Sequence, residues 1–137
     1  MQLQAYLTFN GNCEEALNFY KDALDGEIVG IMRFGDSPVE VGDDDKKRIM
    51  NASFKFGDNT FMASDTMPGQ DGPTTSNIAM ALVTTDLEAT DRTFSALAEG
   101  GKITMPLDNT FWNARFGMLT DKFGIDWMIN CDLPKGE

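Results

Sequence analysis

The segment FGDNTFMASD at residues 56–65 returns 67 residues later as FGIDWMINCD at residues 123–132. Each copy is typical of a hairpin turn followed by a strand that ends in Asp. Repetition of a turn and strand together indicates that one structural unit occurs twice in the chain. The repeat decides the fold, because the segments that precede each copy must then follow a common plan.

The residues before the first copy predict a strand, a helix and further strands. Residues 3–9 alternate apolar and polar side chains, as a half-buried strand does. Asn12 and Glu15 resemble a capping box at the start of a helix that Gly26 ends. Segment 35–47 carries Pro, Gly and three consecutive Asp residues and is typical of a solvated loop. The strands that follow the helix are predicted at residues 27–34, 48–56 and 60–65.

The residues before the second copy repeat this order. Thr85 and Glu88 resemble a second capping box, and the helix that they begin runs to about Glu99. Segment 67–76, rich in Pro and Gly, reads as the connection between the units. The strands are predicted at residues 77–84, 102–105, 114–120 and 125–132.

Two βαβββ units in tandem define an α+β fold class. Unit one covers about residues 1–66 and unit two about 77–132. The whole chain, residues 1–137, is long enough for one domain with a packed core, and 42% of its residues are hydrophobic. We therefore expect a single domain built from a duplicated unit.

The composition of the chain argues against two classes of partner, nucleic acids and membranes. Eleven basic residues against 22 acidic ones leave a net charge of −11, which predicts no nucleic-acid partner. No apolar run approaches the roughly 20 residues that span a bilayer, and no secretion signal is evident, so we expect no membrane partner. Cys13 and Cys131 form no CxxC pair. Two free thiols are consistent with a cytoplasmic location.

Several motifs together resemble the PhnB-like branch of the vicinal oxygen chelate superfamily, which includes glyoxalase I, extradiol dioxygenases and bleomycin-resistance proteins. They cover nearly the whole chain: YLTFNGNCEEA at 6–16, FMASD at 61–65, TFW at 110–112 and LTDKFGIDWMIN at 119–130. The resemblance implies an open barrel of the glyoxalase/bleomycin-resistance type, in which each sheet wraps around a cavity with its helix outside. It also implies a homodimer.

On that reading the side chains opposite the helices line a ligand pocket, and Trp112 in its irregular segment joins them. The predicted ligand-binding residues are Gln4, Tyr6, Thr8, Asn51, Met62, Asn77, Trp112, Met128 and Asn130. The resemblance implies that metal enzymes of the superfamily place His or Glu at inward positions of the first and last strands of each unit. The corresponding residues here are Gln4, Met62, Asn77 and Met128, with Asn51 where relatives often carry His. Since the chain contains no His, we expect no metal and no cofactor.

Other residues admit two interpretations each. Asp65 and Asp132 end equivalent strands. They could form a carboxylate pair for acid-base catalysis, or they could cap turns and accept hydrogen bonds from backbone amides. We favour the second interpretation. Cys13 at a helix start is either a reactive thiol or a small structural residue, and Glu14 and Glu15 favour the latter. Arg115 pairs either with an anionic ligand or with a surface carboxylate. Parity places Trp127 in the core.

The sequence thus predicts a protein that binds a small molecule in a metal-free, largely apolar pocket. One alternative is an enzyme of the glyoxalase, lyase or dioxygenase type with an unusual or absent metal site. Another is a structural role with no cavity. Some relatives carry a demethylubiquinone methyltransferase label, but no GxGxxG turn suited to an adenosyl cofactor is present.

Overall fold

The computed structural model describes residues 2–70 and 78–134 and confirms two βαβββ units in tandem. They form compact units at Met1–Pro73 and Thr74–Glu137. The first contains β1 (Tyr6–Phe9), α1 (Cys13–Leu24), β2 (Glu27–Arg33), β3 (Ile49–Phe56) and β4 (Asn59–Asp65). The second contains β5 (Met80–Thr84), α2 (Leu87–Ala98), β6 (Lys102–Asn109), β7 (Ala114–Thr120) and β8 (Asp126–Asp132).

Each unit folds its strands into one four-stranded sheet with the same order. The first sheet runs β1-β4-β3-β2 and the second runs β5-β8-β7-β6. The first and last strands of each unit pair in parallel, and all the other neighbours are antiparallel. A helix joins the first strand to the second in each case, so the helix covers one face of its own sheet.

The core of unit one lies between α1 and this covered face. Phe54 and Phe61 stack with their ring centroids 5.0 Å apart, and Tyr20 from α1 meets Phe61 edge-on at 6.2 Å. Burying one such ring is worth roughly 1.5–3 kcal/mol. The other buried apolar residues of the unit include Leu7, Phe9, Ala16, Leu17, Ala52 and Ala63.

The core of unit two follows the same plan, with Phe94 and Leu97 of α2 over the sheet. Gly117 of β7 permits the close approach, because a Cβ there would lie 2.8 Å from the Phe94 ring. Trp127 is buried, as its parity predicts. The remaining buried residues of the sheet include Ala114, Leu119, Ile129 and Cys131.

Three strands differ from the prediction by three residues or more, and one of them is β5, which was predicted from residue 77 and begins at Met80. β1 begins at Tyr6, not at residue 3, and Leu3 is fully exposed. β6 extends to Asn109, beyond the predicted end at residue 105, and includes Pro106. Proline is tolerated there because β6 is an edge strand and its pairing is irregular between Met105 and Asp108. Segment 35–47, predicted as a loop, contains short 3₁₀ turns.

Neither predicted capping box forms. Asn12 precedes α1 but makes no side-chain cap. Asp86, not Thr85, caps α2, and its Oδ1 accepts from Glu88 N at 2.9 Å and Ala89 N at 3.2 Å. The S/T-x-x-E pattern therefore marked the second helix start one residue early. Among the described residues, neither helix is long and apolar enough to cross a membrane.

Candidate ligand-binding faces

We call the surface of each sheet opposite its helix the helix-free face. In unit one it is formed by Tyr6, Thr8, Met32, Asn51, Ser53 and Met62. These residues alternate along their strands with the buried ones, and their side chains are half-buried or exposed. Pairing aligns Tyr6 with Met62, Met62 with Ser53, and Met32 with Asn51. Neighbouring positions on this face therefore carry the phenol of Tyr6, the thioethers of Met32 and Met62, and the small polar side chains of Asn51 and Ser53.

The helix-free face of unit two is more apolar. It is formed by Ala81, Val83, Phe116, Met118, Met128 and Asn130. Met128 lies between Ala81 and Met118, and Asn130 lies between Val83 and Phe116. Met and aromatic side chains that remain partly exposed are suited to a deformable apolar contact with a ligand.

Trp112 adds to the helix-free face of unit two. Its ring meets Phe116 edge-on at 5.6 Å between centroids, and its Nε1 donates to Asn130 Oδ1 at 3.4 Å. Trp112 is nevertheless 49% exposed, and the adjacent Phe111 is 97% exposed. These two contacts fix the orientation of the indole, while about half of its surface remains exposed to solvent.

Seven of the nine predicted site residues lie in two groups, one on each sheet. Tyr6, Thr8, Asn51 and Met62 share one face of the first sheet, and Trp112, Met128 and Asn130 come together on the second. Gln4 lies exposed ahead of β1 and belongs to no strand. Asn77 lies outside the described residues.

Residues of the helix-free faces that were not predicted from the sequence include Met32 of β2, and Phe116 and Met118 of β7. The signal for the last two was present, because Phe116 and Met118 alternate with Gly117 and Leu119. Met32 was harder to assign, since β2 is an edge strand with mostly exposed side chains and register shifts.

Asp65 is a structural carboxylate, as favoured above. It is buried, and its oxygens accept three backbone bonds: from Gly11 N at 2.8 Å, Cys13 N at 2.9 Å and Ile49 N at 2.8 Å. Asp132 does not occupy the matching place. The last residue of β1, Phe9, pairs with Asp65, whereas the last residue of β5, Thr84, pairs with Cys131. Cys131 therefore holds the position that corresponds to Asp65, and Asp132 lies one residue further along the strand and is exposed.

Cys13 is completely buried at the start of α1. Burial, together with the negative charges of Asp65 and Glu14, raises the pKa of its thiol from 9.0 to about 12. The thiolate is therefore suppressed at neutral pH, which favours the structural interpretation over a nucleophile.

Two further side chains have protein partners. Arg115 Nε donates to Asp91 Oδ1 at 2.6 Å, so the surface ion pair is the interpretation that the structure supports. Trp127 Nε1 donates to Asp121 Oδ2 at 2.8 Å, and Asp121 Oδ1 accepts from Phe123 N and Ile125 N. Asp121 thus organises the turn before β8.

The donor set does not fit a tightly held transition metal. Met62 and Met128 present thioethers and Asn51 an amide, which bind divalent first-row ions far more weakly than imidazole or carboxylate. Within residues 2–70 and 78–134, no three His, Cys, Asp or Glu side chains cluster around a common point.

Comparison with solved structures places this architecture in a known class. A glyoxylase/bleomycin resistance protein/dioxygenase domain from Frankia sp. EAN1pec superimposes with a TM-score of 0.70 at 14% identity, over 100% of this chain and 94% of that one. At that identity the likeness shows the fold alone. The fold is that of the glyoxalase/bleomycin-resistance/dioxygenase class.

More similar relatives define the family. Protein PA1353 from Pseudomonas aeruginosa shares 43% identity at a TM-score of 0.86, over 97% of this chain and 100% of that one. Protein YjdN of Escherichia coli K12 is 34% identical over 140 residues, with 95% of each chain covered. A Bacillus cereus structure named as a putative 3-demethylubiquinone-9 3-methyltransferase, PhnB protein, shares 30% identity at a TM-score of 0.82, covering 96% and 99%.

The family model described as 3-demethylubiquinone-9 3-methyltransferase matches residues 1–130. The chain belongs to this PhnB-like family of the glyoxalase/bleomycin-resistance superfamily.

The methyltransferase description implies an adenosyl cofactor, and the two strand-to-helix turns allow a test of fit. Such cofactors use a Gly-rich turn with open backbone N–H groups at a helix start. Here the N–H groups of Gly11 and Cys13 are bonded to Asp65, and those of Glu88 and Ala89 to Asp86. Carboxylates already occupy both helix starts, so these turns do not fit the cofactor.

Proposed function

We propose that this protein binds a small, largely apolar molecule on the helix-free faces of its sheets, without a metal. The observation that carries the proposal is Trp112, which is held by Phe116 and Asn130 and still half exposed. An indole fixed in orientation but open to solvent is ready to stack on a ligand with little further loss of conformational freedom.

The neighbouring side chains support the same reading. Met118 and Met128 lie side by side on adjacent strands, and Met62 and Tyr6 pair in the other unit. Thioethers adapt to ligands of different shape, and Asn51 and Asn130 supply polar groups that orient a ligand. The ligand class is therefore a small molecule with an apolar body and few hydrogen-bonding groups.

Tryptophan fluorescence tests the proposal. Trp127→Phe removes the buried indole and leaves Trp112 as the reporter. Titration with a panel of small apolar metabolites should shift its emission to shorter wavelength for at least one compound. The same compound should raise the melting temperature without added metal, because a ligand that binds only the native state stabilises it.

Charge substitutions then locate the site. Met128→Lys places an ammonium on the helix-free face and should weaken binding by roughly tenfold or more. Met67→Lys makes the same change at an exposed methionine in the segment after β4 and should bind normally. Equal affinities for the two variants would contradict the proposed site.

The enzyme alternative has its own readout. Untagged protein is dialysed and its metal content measured by mass spectrometry. A divalent ion retained at near one per chain would favour a glyoxalase or dioxygenase with unusual ligands over the proposed binding function. Turnover of the bound compound without metal would instead favour a lyase or isomerase.

The proposal includes a cytoplasmic homodimer. A chain with a net charge of −11 and two buried thiols is consistent with that location and with the absence of a nucleic-acid or membrane partner. Sedimentation equilibrium should give twice the chain mass of 15.1 kDa. A mass of one chain at micromolar concentration would overturn the dimer without affecting ligand binding.

A further inference from the structure

A polar cavity lies at one end of the first sheet, and none of the described residues that line it was assigned to ligand binding above. Its volume is about 330 Å³, and the described residues that line it are Asn10, Arg48, Thr66, Gly69 and Gln70. Asn10 follows β1, Thr66 follows β4, and Arg48 precedes β3. The cavity therefore sits where the parallel strands end, which is where open α/β sheets commonly bind ligands.

Arg48 is the charged residue among the described residues that line this cavity, and hydrogen bonds hold its side chain in place. Its Nη2 donates to both the carbonyl oxygen and the hydroxyl of Thr66, each at 2.8 Å. The Thr66 hydroxyl in turn donates to Asn10 Oδ1 at 3.3 Å. The Arg48 side chain is only 19% exposed. Its guanidinium plane is thus fixed, and little side-chain entropy is lost when it binds a ligand.

The anchored guanidinium retains hydrogen-bonding capacity. Nε forms an ion pair with the Asp45 carboxylate at 3.9 Å, a distance too long for a hydrogen bond. Nε is buried and has no hydrogen-bond partner among the described residues. Nη1 packs against Gly11, where an added Cβ would lie 2.9 Å from it. Two of the five N–H groups of the guanidinium are bonded to Thr66.

The second unit shows that the fold does not require this charge. Asn113 precedes β7 as Arg48 precedes β3, and its amide donates to the Leu133 carbonyl just beyond β8 at 3.5 Å. A neutral side chain thus makes the corresponding link between strand ends. The link between strand ends therefore does not need the positive charge of Arg48, whose partner among the acidic residues is Asp45 at 3.9 Å.

We propose that this cavity is a binding site for a small organic anion, a carboxylate or a phosphate monoester, which accepts hydrogen bonds from Arg48. A guanidinium in a fixed plane suits the oxygens of either group. The volume suits a metabolite better than a bare ion. The Asn10 and Gln70 amides supply neutral polar contacts for the rest of the molecule. Asp65, the buried acid of this sheet end, is already bonded to three backbone N–H groups.

Three probes with one carbon skeleton test the chemistry: glycerate, glycerol 3-phosphate and glycerol. Each is titrated into the full chain at about 0.1 M salt, where screening limits the repulsion from the negative chain. Binding is followed by the NMR signal of the Arg48 Nε–H group. One or both anions should shift this signal to saturation and glycerol should not, and the stronger anion identifies the preferred group.

Substitutions at Gln70 test the charge of the site without disturbing the Arg48 anchor. Gln70 is exposed, so its variants should fold. Gln70→Glu should weaken anion binding roughly tenfold or more and Gln70→Lys should strengthen it, because hydrogen bonds and contacts to charged groups are worth that much. Equal affinities for the Glu and Lys variants would overturn the proposal.

Arg48→Gln removes the cation and keeps an amide, the group that Asn113 uses in the second unit. We expect loss of anion binding with retention of the fold. Arg115→Gln makes the same charge change at an arginine paired with Asp91 and should bind as the unaltered chain does. Failure of both anions to shift the Arg48 signal would refute this site. That result would not bear on the apolar ligand of the helix-free faces, which the fluorescence of Trp112 tests separately.

Discussion

At the scale of single residues, equivalent positions in a duplicated fold carry different chemistry. Asp65, at the end of β4, accepts hydrogen bonds from three backbone N–H groups, two at the start of α1 and one at the start of β3. In the second unit the corresponding position is Cys131, and Asp132 faces outward. A one-residue offset between the sequence repeat and the strand pairing is enough to exchange the two faces.

Asp65→Asn should lower the free energy of unfolding by about 2–4 kcal/mol. The substitution replaces one of two accepting oxygens by an NH₂ group that faces a backbone donor and leaves it unsatisfied. Urea denaturation measures the change. Asp132→Asn makes the same substitution at an exposed site and should stay within about 0.5 kcal/mol. Similar losses for both variants would contradict the assigned roles.

The Cys13 thiol should make stability fall at alkaline pH. Its pKa is raised to about 12 in the folded protein from an ordinary value of 9.0. The unfolded chain therefore releases this proton first, so the contribution of Cys13 to stability is complete below pH 9 and is lost as the pH rises towards 12.

Urea denaturation at pH 8 and at pH 10.5 measures this loss. Comparison with Cys13→Ala separates the effect of the thiol from that of the other ionisable groups. The variant should lose less stability between the two pH values than the unaltered protein. An equal loss in both would show that the thiol does not contribute.

At the scale of elements, the two helices start alike in the fold but are capped differently. Asp86 caps α2 from the adjacent position in the chain, whereas α1 receives its cap from Asp65, more than fifty residues away. A local cap leaves a pattern in sequence, and a tertiary cap does not.

Asp86→Ala should therefore destabilise the protein by about 1 kcal/mol, the usual cost of losing an N-cap. Thr85→Ala, at the position that the capping-box pattern indicated, should change the free energy of unfolding by less than about 0.5 kcal/mol. Both residues are exposed, so packing does not confuse the comparison in urea denaturation. A larger loss of stability for Thr85→Ala than for Asp86→Ala would show that Thr85 caps the helix, as the capping-box pattern predicted.

At the scale of the whole molecule, charge is the dominant feature outside the cores. A net charge of −11 on 137 residues disfavours the compact state through self-repulsion. Within residues 2–70 and 78–134 the ion pairs are few and partly exposed, such as Arg33 with Glu14 and Arg115 with Asp91. Pairs of this kind contribute little to stability.

Salt should consequently stabilise this protein. Raising NaCl from about 0.01 M to about 0.15 M shortens the screening length from roughly 30 Å to 8 Å. We expect the melting temperature to rise by a few degrees over that range and then level off. KCl at equal ionic strength should act alike, which separates screening from specific ion effects. A fall in melting temperature would indicate that attractive ion pairs outweigh the repulsion.

The sequence alone determined the duplicated unit, the two amphipathic helices, most strand boundaries and the faces of the sheets. These features are local or periodic, so neighbouring residues reveal them. The same periodicity placed Tyr6, Met62 and Met128 together with their neighbours on the helix-free faces and put Trp127 in the core.

The tertiary structure alone decided which strand ends meet. The cap of α1 by Asp65, the one-residue offset of Asp132 and the cavity at Arg48 all depend on contacts between residues far apart in the chain. The physical reason is that an isolated Asp or Arg is a mobile charge in solution. Only the fold surrounds it with fixed donors and acceptors and so gives it a single role.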